Sequence, residues 1–311
     1  MLKLYYGEAL GRYGFGSGHP FGTDRLQAFW QETVKRGLHK KLHLVEPDDC
    51  SDDDLALFHH RPYIDRVRQL SINGQGFLDY GDTPAFKGVY EASISVVGSV
   101  LDGLDNILQG EHPRVFVPIA GLHHARRESA AGFCVFNDAG VLIESLRHQH
   151  GIRRIAYVDI DAHHGDGVFY AFEDDPELIF ADLHEDGHYL YPGTGFAYET
   201  GKGAARGTKL NIPLAPGSDD QDFFKHWPQV EAFIRAAKPQ IILLQAGADS
   251  IKGDPLSHLQ FSPQAHAHAA RSLCKIADDC CQGRIIAMGG GGYNRANIAL
   301  TWNTVVEAMM D

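Results

Sequence analysis

Short apolar runs rich in β-branched residues alternate along this chain with longer stretches of helical periodicity, and that alternation constrains its fold most. Seven runs read as strands, at residues 2–6, 114–119, 154–159, 178–182, 209–212, 240–245 and 284–288. They are nearly continuous in apolar residues, as strands covered on both faces are. Between them the periodicity predicts helices over 23–36, 51–58, 62–71, 88–109, 137–148, 219–237, 263–281 and 294–309. Ser51 stands before three aspartates and Ser262 before Pro263, both of which are helix-start chemistry. The pattern predicts an α/β fold: a mainly parallel β-sheet flanked by helices on both faces.

With 311 residues, 44% of them hydrophobic, the chain is long enough for one large, well-buried α/β domain. No Pro/Ser/Gly linker divides it, so residues 1–311 read as a single domain. Residues 1–16 lack a basic region followed by an apolar run, and no apolar stretch approaches the roughly 20 residues of a membrane helix. Membrane association is therefore not expected. Cys50, Cys134, Cys274, Cys280 and Cys281 are odd in number and form no CxxC pair, which points to reduced thiols and a cytoplasmic location. The net charge of −12, without a basic cluster, argues against nucleic acid as a partner and suits a cationic one. Nothing in the sequence specifies an oligomeric state. The stretch 183–209, dense in Gly, Tyr and His, is too long for an idle connection and reads as a functional loop.

Polar clusters follow the apolar runs. Gly121-Leu122-His123-His124 comes after one, the segment Asp159 to Asp166 after another, then Gly247-Ala248-Asp249 and the glycines 289–292 before Tyr293. In a parallel sheet these segments emerge at one carboxyl edge, where α/β proteins place their sites. Asp161 and His163, two residues apart on an extended segment, point to the same side. With Asp249 they make a three-ligand site with an open position, suited to catalytic Zn2+ and also to Fe2+. Two carboxylates nearly offset a divalent charge, so a bound water needs a base. His123 and His124 supply one, with Asp159 and Asp166 to orient the two imidazoles; one histidine takes the proton and the other stays cationic near the leaving amine. Tyr293, on its glycine hinge, is placed to donate to a developing oxyanion.

These segments, together with Ser129-x-x-Gly132-Phe133-Cys134-x-x-Asn137-Asp138 and Tyr191-Pro192-Gly193-Thr194-Gly195, resemble the histone deacetylase superfamily. The similarity is strongest to class I enzymes and bacterial acetoin-utilisation-type deacetylases, and it runs in order from Gly18-His19-Pro20 to Trp302. It implies an arginase/deacetylase-type fold and a zinc lysine-deacetylase mechanism in which His123, His124, Asp159, Asp166 and Tyr293 are catalytic. It further implies that Phe133 and Tyr191 wall an acyl-lysine channel, that Gly132 lines it, that Leu256 lies near its rim, and that Asp82 grips the substrate backbone. Arg25 falls near the acetate exit path. A structural K+ would use Asp159, Asp161, His163, Asp182 and Leu183. Asp182 departs from a frequent serine and Tyr191 from the usual phenylalanine, changes that bear on substrate preference and leave the chemistry alone. An acetyl-lysine protein or peptide and an acetylated small amine, such as an acetylpolyamine, both suit such a site. A catalytically silent binding module would have lost a ligand or the tyrosine, and an arginase-like dimanganese centre wants more aspartates than are present.

Overall fold

The computed structural model describes residues 2–16, 18–110 and 112–311. In chain order it contains β1 (Lys3–Tyr5), α1 (Glu8–Gly11), α2 (Arg25–Lys35), β2 (His43–Val45), α3 (Asp52–Leu55), α4 (Arg61–Asn73), α5 (Val89–Leu108), β3 (Arg114–Val117), α6 (Asp138–His148), β4 (Ile155–Asp159), α7 (Asp166–Ala171), β5 (Leu178–Glu185), β6 (Lys209–Leu214), α8 (Asp220–Ala237), β7 (Ile241–Gln245), α9 (Pro263–Cys281), β8 (Ile285–Met288) and α10 (Arg295–Met310). The eight strands form one sheet in the order β2-β1-β3-β8-β7-β4-β5-β6, parallel throughout. Strands β3, β4, β7 and β8 are buried almost end to end, which is why they read as unbroken apolar runs.

Helices α2, α8, α9 and α10 pack among themselves, and α3 to α7 form a second packed set. Each set has a member against β8, α9 from the first and α5 from the second, so the sheet is sandwiched between two helical layers. Local chemistry starts the helices where the sequence indicated. Ser51 and Asp54 form a reciprocal capping box on α3, Ser262 caps α9 ahead of Pro263, and Asn137 and Asn294 accept first-turn N–H groups of α6 and α10.

Several sequence boundaries are corrected. The edge strand β2 was not expected, because His43-Leu44-Val45 is only three residues long and too short to read as an apolar run. The short helices α1 and α7 were also missed; α7 begins inside the polar cluster at Asp166, whose charge masked the helical pattern. The helix expected over 51–58 ends at Leu55, and β5 continues to Glu185, so the long loop starts later than expected.

The register fixes where the chemistry emerges. Val117, Met288, Gln245, Asp159 and Asp182 are partners across five neighbouring strands, so the segments after β3, β8, β7 and β4 leave the sheet side by side. Asp138, in the first turn of α6, ties one of them down: its buried carboxylate accepts the Gly121 and Leu122 N–H groups at 2.7 Å each. Asp138→Ala leaves two buried donors unpaired and is expected to lower stability by about 2–5 kcal/mol. A denaturant titration checks this, and an unchanged midpoint would refute it.

Candidate active site and metal centre

Asp161, His163 and Asp249 meet in the protein interior. His163 Nδ1 lies 3.1 Å from Asp161 Oδ1 and 3.1 Å from Asp249 Oδ2, and one donor atom of each residue falls within 4.8 Å of the others. All three side chains are buried. Their spare oxygens are held in place: Asp161 Oδ2 accepts from Gln245 Nε2 at 2.8 Å and from the Gly291 N–H at 2.9 Å, and Asp249 Oδ1 accepts from the Ala162 N–H at 2.9 Å. Burial alone would lower the His163 pKa, but hydrogen bonds to the two carboxylates and their charge raise it to about 10. The field that favours a proton there favours a dication more, and two carboxylates with one imidazole are a fitting donor set.

Beside this trio, His123 and His124 present Nε2 atoms 3.0 Å apart. Each is backed through Nδ1 by a carboxylate: His123 by Asp159 at 2.8 Å and His124 by Asp166 at 2.7 Å. Asp159 also accepts the Tyr157 hydroxyl, and Arg126 reaches Asp166 at 3.4 Å. The two imidazoles are pushed apart electrostatically. Burial opposes charge on His123, but Asp159 and then Asp161 outweigh it and raise it to about 10. Burial and the neighbouring His123 lower His124 to about 4. Such divergence within a pair separates an acid from a base.

Tyr293 follows a turn in which Gly291 passes so close to Asp249 that a side chain there would collide with the carboxylate, and Gly292 takes φ 125°. The tyrosine ring meets Phe133 edge-on at 5.7 Å. No hydrogen bond joins its hydroxyl to another described residue. Arg25, fully buried, donates to the Gly290 carbonyl at 2.6 Å and the Gly292 carbonyl at 2.9 Å, with its guanidinium 3.8 Å from the Phe21 ring. It therefore braces this turn from within.

Phe133 occupies the left-handed region at φ 67°, a costly conformation for an aromatic residue. It is held there by Thr83 Oγ1, which accepts its N–H at 3.0 Å, and by the Tyr13 hydroxyl, which donates to its carbonyl at 2.7 Å. Tyr191 stacks edge-on against His124 at 5.0 Å and is 43% exposed. Gly132 lies between these two rings, since a side chain there would meet His124 and stand 3.1 Å from Tyr191 Cε1. Asp82 is exposed in the same cavity as Tyr191, bound by the Thr83 hydroxyl at 3.0 Å. Burial, then Asp79 beside it, raises Asp82 to about 6. Leu256 is half-buried, with its N–H on Asp254.

Asp182 is the register partner of Asp159, and its carboxylate is taken by His184 Nδ1 at 2.7 Å and the Gly165 N–H at 2.9 Å; Leu183 is buried next to it. Sequence reading missed the groups that position the site: Gln245, Asp138, Tyr157, Arg126 and Asp254. A lone glutamine closing an apolar strand was the visible signal for Gln245, whereas Gly253-Asp254-Pro255 reads as an ordinary turn.

A family model described as the histone deacetylase domain matches residues 19–309. The acetoin utilization protein AcuC of Bacillus subtilis (strain 168) is 34% identical over 300 residues, spanning 93% of this chain and 76% of that protein. AcuC of Staphylococcus xylosus is 33% identical over 314 residues, spanning 98% and 81%. The crystal structure of the HDA15 HD domain superposes with a TM-score of 0.91 at 25% identity, covering 99% of this chain and 88% of the other. No helix among the described residues is long and apolar enough to cross a membrane. With buried histidine–carboxylate pairs beside a three-ligand centre on this sheet, and a family match across nearly its whole length, the chain belongs to the histone deacetylase family and is a hydrolase of the deacetylase type.

Proposed function

We propose that the protein is a zinc-dependent deacetylase that hydrolyses the acetyl amide of Nε-acetyl-lysine in proteins or peptides and releases acetate, with Fe2+ as the alternative metal. The observation that carries this reading is the meeting of Asp161, His163 and Asp249 beside two carboxylate-backed histidines. Bound there, the dication supplies Lewis acidity to the acetyl carbonyl and to a water molecule.

The chain's own residues do the rest. His124 accepts the proton of the attacking water and passes it to the amine nitrogen as the C–N bond breaks, with Asp166 behind it fixing the ring. His123 has two acids within reach, Asp159 at 2.8 Å and Asp161 at 3.9 Å, and stays cationic near the leaving amine. Tyr293 donates its hydroxyl to the carbonyl oxygen as negative charge develops there. Phe133, Gly132 and Tyr191 form the channel, Leu256 its rim, and Asp82 accepts a substrate backbone N–H. A K+ beside Asp159, Asp161, His163, Asp182 and Leu183 belongs to the same proposal. The paired acids of β4 and β5 concentrate negative charge there, although His184 already offsets Asp182.

A second reading, a deacetylase of small amines such as acetylpolyamines, is favoured by one feature. The cavity of about 500 Å³ beside Tyr191 carries both Asp79 and Asp82, which suit a compact polycation. One catalytic domain working in the cytoplasm, with five free cysteines and no disulfide, completes the proposal.

Turnover of an acetyl-lysine peptide against acetylputrescine separates the two substrates; activity on the polyamine alone would displace the first reading. Tyr293→Phe is expected to lower turnover by ~100–1000-fold with metal content intact. His124→Ala should also abolish turnover, and full activity in both variants would overturn the role assignment. Gly291→Ala drives a methyl into Asp249 and to 2.8 Å from Asp161 Oδ2. It should lose most of its divalent metal in elemental analysis while remaining folded by circular dichroism; stoichiometric metal would contradict the proposed centre.

A further inference from the structure

We infer that Asp254 is the positioning residue that aims Tyr293 into the site, an inference that rests on the electrophile role given to Tyr293 above. The problem it solves is mechanical. Tyr293 ends a run of four glycines, the most permissive backbone a chain can have, and regular structure resumes only at Arg295 with α10. The ring itself has weak restraints, edge contacts to Phe133 at 5.7 Å and Phe21 at 6.4 Å. Arg25 holds the carbonyls of Gly290 and Gly292 with its guanidinium 5.9 Å from the Tyr293 ring, and Arg295 donates to the Tyr293 carbonyl at 3.1 Å, but neither of them binds the Tyr293 N–H.

Asp254 supplies the missing restraint from the opposite side. Its Oδ2 accepts the Tyr293 N–H at 2.7 Å and the Asn294 N–H at 3.2 Å, while Oδ1 accepts the Leu256 N–H at 3.0 Å. One carboxylate thus clamps the tyrosine's own peptide to the loop that carries Leu256. Asn294 Nδ2 closes the joint by donating to the Gly253 carbonyl at 3.1 Å. Asp254 is 7% exposed, and hydrogen bonds to an ionised acceptor are about twice as strong as neutral ones, so the clamp is stiff. Among the described residues its side chain bonds only backbone N–H groups, which marks it as a group acting through Tyr293 rather than on the substrate. Loss of it leaves the Tyr293 and Asn294 peptides without their acceptor at the end of the glycine turn, and a displacement of about 1 Å at a reacting group can cost ~100-fold in rate.

The test is a cycle of Asp254→Ala and Asp254→Asn, each made in the wild-type and Tyr293→Phe backgrounds. Steady-state kinetics, metal content and amide exchange at residues 293–294 are read in every variant. In the wild-type background Asp254→Ala should lower kcat by ~10–100-fold with KM changed by no more than about twofold and metal stoichiometry intact. Exchange at Tyr293 and Asn294 should accelerate while that of β8 is unchanged. Asp254→Asn keeps one carbonyl oxygen and should fall between; if the alanine variant does not fold, the asparagine variant carries the same comparison. In the Tyr293→Phe background neither change should lower kcat further, because the misplaced group is already disarmed. An equal loss in both backgrounds, or wild-type kcat in the Asp254 variants beside an impaired Tyr293→Phe, overturns the positioning role alone. Full activity of Tyr293→Phe overturns the electrophile reading and this inference with it.

Discussion

Everything at the carboxyl edge of this sheet answers to one constraint: five histidine-paired aspartates are buried there together. Asp159, Asp161, Asp166, Asp182 and Asp249 are each no more than 1% exposed. Burying an ion costs several kcal/mol unless partners replace its water, and like charges side by side add repulsion. The histidines are the response. His123 is set on Asp159, His124 on Asp166, His184 on Asp182, and His163 between Asp161 and Asp249. Backbone N–H groups of Asp161, Ala162, His163, Gly165 and Gly291 take up further lone pairs. The residual negative charge after this pairing is what makes the centre receptive to a cation.

That concentration of charge can be built only because the strands are adjacent in space while far apart in sequence. Strands β3, β8, β7 and β4 are neighbours in the sheet, and the four polar clusters each follow one of them. Parallel pairing puts all four exits on one edge, and the register aligns them to within a residue. Rigid strand ends then hold the reacting groups, which loops alone would not do with the same accuracy.

This also explains what the sequence disclosed and what it withheld. The apolar runs of β3, β4, β7 and β8 were legible because both faces are buried, and the clusters after them stood out as polar residues where apolar ones had just ended. The i, i+2 relation of Asp161 and His163 could be read directly, and the structure does bring Asp249 to them. By contrast, β2 is an edge strand of only three residues, two of them exposed, too short for its Leu44-Val45 pair to stand out as a strand. The bracing groups were equally silent. Asp138 and Asp254 act by accepting backbone N–H groups from distant loops, and a carboxylate that binds backbone leaves no complementary residue in the sequence to search for. The left-handed conformation of Phe133 is invisible for the same reason: it is imposed by Thr83 and Tyr13 from far away in the chain.

The buried charge network and the exposed cavity beside it are therefore built from different parts of the molecule. The charged trio and the histidine pair are locked into the sheet edge by a closed network, so a change at any member disturbs several buried ions at once. Asp82 and the half-exposed Tyr191 lie on loops around a cavity whose other walls are Tyr80, Arg126 and small residues such as Ala130 and Ala131. Substitutions at Tyr80 or Tyr191 alter shape at the mouth without unpairing a buried group, whereas Asp82 takes the buried Thr83 hydroxyl and Arg126 reaches buried Asp166. A chain built this way can keep its buried charge network fixed while the cavity mouth beside it changes, because surface substitutions away from buried ions rarely cost more than about 0.5 kcal/mol. The half-exposed Tyr191, which meets His124 edge-on, is a feature of that kind, separable from the buried network that it overlooks.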